Sequence, residues 1–139
     1  MKGREYLELA REILPGGKER HWRGASGRAY YALFLEGREA LARWGFVPTR
    51  GENAHNFVRL RFSIPADADL KTIGYDLDAL GRLRNKADYL LSPLPEFRSD
   101  TAARDAIKKS DDAIALLDAI EADAVRVAAA KAAIRAAFP

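Results

Sequence analysis

Residues 80 to 91 read LGRLRNKADYLL, and the position of Arg84 within them decides how the chain is folded. Counting back from Arg84 in steps of three and four gives Leu80, Leu77, Ile73 and Leu70; counting forward gives Ala87 and Leu91. That period belongs to a helix with one apolar stripe, and the arginine interrupts it. A guanidinium on such a stripe needs a partner: an internal carboxylate such as Asp88, a second subunit, or a phosphate. The same three turns place Arg84 beside Asp88, Asn85 beside Asp88 and Tyr89, and Arg82 beside Asn85. Lys86 falls in the same stretch. A cation, an amide and a phenol therefore project together from one helix.

Upstream, Ser63-Ile64-Pro65 breaks the chain, and Asp67 or Asp69 offers an N-cap for this helix. Downstream, Pro93 and Pro95 forbid its continuation, which leaves the Arg84–Tyr89 cluster at a helix end beside a loop. A first helix is expected over about Lys2 to Leu14, with Tyr6, Ala10 and Ile13 on one face and Pro15-Gly16-Gly17 as its stop. The basic run KERHWR (18–23) has the composition of an RNA contact. Trp22, however, is in phase with Ala25, Ala29 and Leu33, so core packing is the better reading.

The second helix runs to about Trp44 on a stripe of Tyr30, Phe34, Gly37, Leu41 and Trp44, and Gly37 inside it implies a closely crossing helix. Ser26, Tyr30 and Tyr31 carry hydroxyls among apolar neighbours and need partners. Helix packing is the expectation for Ser26, whereas packing and a place beside Arg84 stay equally open for the two tyrosines. After a loop over Gly45–Gly51, a short helix from Glu52 or Asn53 to Phe62 turns His55, Val58 and Phe62 inward. A lone histidine on an inner face is more often a hydrogen-bonded core residue than a catalyst. Arg59 and Arg61 could supply phosphate contacts or simply solvate that helix, and solvation is the better reading. A last helix is expected from Ser99 or Asp100 to about Phe138. Its alanine-rich part beyond Glu121, residues 122–139, either packs on another subunit or projects as an extension.

Three pieces in this order, SGRAYYALF (26–34), ENAHNFVRLRF (52–62) and RLRNKADYLL (82–91), resemble the HEPN superfamily of small helical domains. The closest likeness is to its short stand-alone members reading RAYYA.F, a His-led helix, then R.KADY. The likeness spans roughly residues 5 to 125. It implies an all-α, antiparallel bundle of four to five helices, the second and fourth central, forming one domain over 1–139 and a homodimer. It further implies an RNA- or nucleotide-binding protein of the kind that includes toxin-like, metal-independent endoribonucleases, with Arg82 or Arg84 where the family carries its catalytic arginine. The family histidine four to six residues later is absent: Ala87, Asp88 and Tyr89 stand there. The alternative is a non-catalytic module that binds nucleotide or scaffolds a minimal nucleotidyltransferase, the family's frequent partner. In some such pairs the partner attaches AMP to a tyrosine just after the motif histidine, and Tyr89 lies at the matching distance from Arg82.

On the resemblance and the chemistry together, the candidate catalytic residues are Arg84 for charge on a phosphorane, with His55 or Tyr89 as the base. Arg82, Asn85, Lys86, Asp88, Tyr30 and Tyr31 are the candidate binding residues. With 139 residues, 48% of them hydrophobic, a single domain has enough apolar material for a core. There is no cysteine, hence no disulfide or thiolate site, and two histidines with scattered carboxylates give no metal-ligand spacing. No Walker glycine loop and no activated nucleophile are visible, so no cofactor is expected. A net charge of +3 permits nucleic acid without requiring it. The start MKGREYLELAREIL is charged, no apolar run approaches a membrane span, and a cytoplasmic protein is expected.

Overall fold

Each chain break expected from proline and glycine is a break in the structure. The computed structural model describes residues 1–139 as α1 (Glu5–Ile13), a 3-10 turn at Leu14–Gly16, α2 (Glu19–Arg43), α3 (Ala54–Ser63), α4 (Ala68–Tyr89), a second 3-10 turn at Pro95–Phe97, α5 (Thr101–Glu121) and α6 (Ala124–Ala137). Local chemistry sets the boundaries. Asn53 caps α3 by accepting from the Asn56 N–H, and Asp67 caps α4 by accepting from Leu70. Gly17, at φ 75°, takes the left-handed conformation that turns the chain from α1 into α2.

The bundle has six helices, where four or five were expected, because the last predicted helix is two. Asp123 leaves the helical conformation and its carboxylate accepts from the N–H groups of Val125 and Arg126, so it starts a new helix. Nor does this segment project: α6 folds back, burying Ala130 and Ile134 in the core, and its Arg126 pairs with Asp69 of α4 at 2.7 Å. No helix is long and apolar enough to cross a membrane.

α2 lies at the centre, packed against α1, α3, α4 and α5. Its stripe of Tyr30, Phe34, Leu41 and Trp44 is buried, and Trp22 packs against the same core, as its phase predicts. The α4 stripe of Leu70, Ile73, Leu77, Leu80 and Ala87 is also buried. Each large apolar side chain removed from water in this way stabilises the fold by about 1.5–3 kcal/mol. Leu91 is exposed, against its predicted phase, because Leu90 turns out of the helix at ψ 85° and the periodicity ends there.

α3 crosses α2 at Gly37, where an added Cβ would stand 3.2 Å from the Phe62 ring and 3.4 Å from Val58. It meets α4 still more closely at Gly74, where a Cβ would fall 2.7 Å from the Ser63 nitrogen. At its far end, Arg61 lies between the rings of Phe57 and Phe138, its guanidinium carbon about 4 Å from each centroid.

Two of the arginines that tie helices together make several bonds each. Arg4, at the start of α1, makes paired hydrogen bonds to both Glu36 of α2 and Asp118 of α5, which holds the buried Glu36 carboxyl below the usual carboxylate range. Arg23, in the run read as a possible RNA contact, is instead a cap in trans. Its guanidinium donates to the carbonyls of Lys86, Ala87, Leu90 and Ser92 at the end of α4 and sits over the Phe97 ring.

Candidate functional site

Between α3 and α4, over the middle of α2, lies a cleft of about 320 Å³. Its α4 wall is Leu77, Asp78, Gly81, Arg82, Arg84 and Asn85; its α3 wall is Asn53, His55, Asn56 and Arg59; Tyr30 forms the floor. The helical phase that buries Leu77 and Leu80 turns Arg84 and Gly81 to the cleft edge. Gly81 leaves the space for Tyr30, whose ring edge would stand 3.4 Å from a Cβ there.

Arg84 is largely buried, with 18% of its side chain exposed. One guanidinium nitrogen donates to the Tyr31 hydroxyl at 2.6 Å and another to Asn85 Oδ1 at 3.3 Å. The Nε atom lies 2.9 Å from Asp88 Oδ2, but its N–H is not aimed at the carboxylate, so the contact is an ion pair without an aligned hydrogen bond. The guanidinium also faces the rings of Tyr31 (5.1 Å) and Tyr89 (5.5 Å). The Asp88 side chain is 40% exposed, so it balances the charge of Arg84 only in part.

His55 stacks on Phe34 with ring centroids 4.2 Å apart, and its Nδ1 is 2.6 Å from the Tyr30 hydroxyl. Burial and the nearby Arg84 charge both disfavour imidazolium, so the ring titrates below its ordinary value and is neutral at pH 7. Burial pushes the Tyr30 phenol up to about 12, against an opposing pull from Arg84, so it stays protonated. The contact serves two tautomers. With Nδ1 as acceptor, the imidazole presents an Nε2–H donor; with Nδ1–H donating to the phenol oxygen, Nε2 keeps a lone pair.

The structure brings together Arg84, His55, Tyr30, Arg82 and Asn85 on one cleft, and places Tyr31, Asp88 and Tyr89 around the Arg84 guanidinium. It does not bring Lys86 there: Lys86, one turn beyond Arg82 on α4, pairs with Glu96 of the second 3-10 turn at 3.1 Å. Arg82 is highly exposed and paired with Asp78. Sequence reading left Asn53, Asn56 and Asp78 out of the site, and it set a phosphate contact second to solvation for Arg59. Arg59 lines the cleft one turn beyond His55, has no carboxylate partner, and donates only to Asn56 at 3.3 Å. Its four-residue spacing from His55 was the available signal. Ser26, by contrast, donates back to the Trp22 carbonyl and belongs to helix packing.

The cleft thus holds three arginines against one carboxylate, three amides and a neutral imidazole, with no cluster of side chains able to hold a metal ion. Cationic and amide donors outnumber carboxylates among its lining residues. Comparison with family models, with curated proteins and with solved structures gives no match to this chain.

Proposed function

We propose that this is a HEPN-like RNA- or nucleotide-binding protein whose α3–α4 cleft seats a phosphate against Arg84 and Arg59. The observation that carries the reading is the convergence of two arginines with a neutral imidazole in one partly enclosed cavity. Arginine supplies geometry as well as charge for phosphate oxygens, and the amides of Asn53, Asn56 and Asn85 add neutral contacts.

A neutral His55 also supports metal-independent cleavage. With Nδ1–H held by Tyr30, Nε2 takes the proton of a ribose 2′-hydroxyl. The 2′-oxygen attacks phosphorus, Arg84 stabilises the phosphorane, and the bond to the 5′-oxygen breaks as that oxygen takes a proton from solvent water, giving a 2′,3′-cyclic phosphate and a 5′-hydroxyl; the His55 imidazolium then returns its proton to solvent. In this reading His55 does from α3 what the family histidine does from the position of Ala87. On the resemblance alone, a homodimer and a minimal nucleotidyltransferase partner belong to the same proposal. The exposure of Tyr89 at the end of α4 would leave its hydroxyl open to modification.

The test is incubation of the purified protein with a mixed RNA pool in EDTA, alongside salt-titrated binding. Retention of RNA that weakens with salt and is lost in Arg84→Ala is expected, with cyclic-phosphate ends lost in His55→Gln. Binding unchanged in Arg84→Ala, with the fold intact, overturns the proposal; binding without products leaves the cleft a recognition module.

A further inference from the structure

Arg28, one turn before Tyr31 on α2, is another arginine with no anion. It is half-buried on α2, forms no hydrogen bond or ion pair, and its Nε is enclosed without a partner. A buried guanidinium N–H left unmatched is costly, and the terminal nitrogens of the same guanidinium, also without a partner but not enclosed, are the ones that an acceptor from outside can reach. Its surroundings are aromatic. The Arg28 guanidinium lies 5.9 Å from the Tyr6 ring, Tyr6 is 6.2 Å from Tyr31, and Tyr31 is 5.1 Å from the Arg84 guanidinium. Tyr89, about two-thirds exposed, flanks Arg84 on its other side. Cation and aromatic side chains therefore form a connected row from α1 across α2 to α4, and neither Arg28 nor Tyr31 lines the cleft itself.

We propose that Arg28 is a second phosphate seat, so that the site takes a single-stranded RNA segment along this row rather than a mononucleotide. The inference rests on the phosphate reading of the Arg84 cleft and deepens it. Phosphates set at intervals by cations, with tyrosine rings against which unpaired bases stack, are the elements of single-strand recognition. A mononucleotide would satisfy Arg84 and Arg59 and leave Arg28 as it is.

The test compares wild type, Arg28→Gln, Arg28→Lys and Arg84→Gln in binding AMP and an eight-residue oligouridylate over a salt series. Arg28→Gln is expected to weaken the oligonucleotide about tenfold at low salt and to flatten its log–log salt slope by about 0.7, the value for one phosphate contact on a single strand. AMP affinity should be unchanged, and Arg28→Lys should keep the slope. Arg84→Gln should weaken both ligands. Oligonucleotide binding that responds to Arg84→Gln but not to Arg28→Gln overturns the second seat and leaves the cleft reading standing. No binding of either ligand by wild type overturns both. If Arg28→Gln changes the sedimentation of the free protein and not RNA affinity, Arg28 belongs to an interface between copies of the chain, and the proposal fails.

Discussion

Replacing Gly74 by alanine should drive apart the two walls of the cleft. The new Cβ would stand 2.6 Å from Ser63 Oγ, 2.7 Å from its nitrogen and 2.8 Å from its Cα. The hydroxyl can rotate; the backbone at the end of α3 cannot yield without moving the helix, by about 0.7 Å to regain ordinary contact. Alanine gains up to about 1 kcal/mol of helix propensity over glycine, while overpacking against backbone costs about 1–3 kcal/mol, at the upper end here. The expected result is a net destabilisation of about 1–2 kcal/mol. Gly81→Ala is the matched control on the same helix. Its Cβ would meet only the Tyr30 ring edge at 3.4 Å, so that variant should be neutral or more stable by up to about 1 kcal/mol. Urea unfolding followed by circular dichroism reads both. A Gly74→Ala protein as stable as wild type, or a shift shared by the two variants, would refute the idea that Gly74 sets the spacing of α3 and α4.

Arg4→Ala should cost about 2–3 kcal/mol at pH 7, since it leaves the buried Glu36 without its guanidinium. Because the folded Glu36 pKa is depressed, its contribution is full above the ordinary value of 4.5 and is lost as pH falls through the lowered one; wild type and variant should converge in urea titrations run toward pH 3. Arg23→Ala should remove about 2 kcal/mol, seen as a lower melting temperature and faster amide exchange at Lys86–Leu90, because four carbonyls lose their donor. His55 should titrate below 6.5 by proton NMR and rise in Arg84→Gln without fully returning, since burial remains. The linked stability is complete above 6.5 and declines as pH falls from there through the folded value; a His55 unmoved by Arg84→Gln would show that burial alone sets it.

The parts of this fold that could be read from sequence were those that depend on one helix at a time. The Leu70–Ala87 stripe, the Asp67 cap and the close crossing at Gly37 each follow from spacing or from one residue's conformational cost. What could not be read depended on partners distant in sequence. The Arg84 ion pair with Asp88 was visible at four residues, but its bond to Tyr31 spans 53. Arg23 carries no local sign that it will cap α4, and a basic run looks the same in solvent as against carbonyls. The split between α5 and α6 was missed because alanine continues a helical pattern on either side of Asp123, and only the cap geometry ends it. For Arg59, solvation ranked above a phosphate contact because the face of a helix cannot be assigned until its neighbour is known.

The ten-residue helix that carries His55 is held close by Gly37 and Gly74 and buries Phe57, Val58 and Phe62 in the core it shares with α2 and α4. The wall that bears the imidazole is therefore tied to the fold as a whole, and the Tyr30–His55 contact is set before any ligand arrives. Amide exchange in α3 should keep pace with that of α2, and a substitution at Phe62 should loosen His55 and the bundle together.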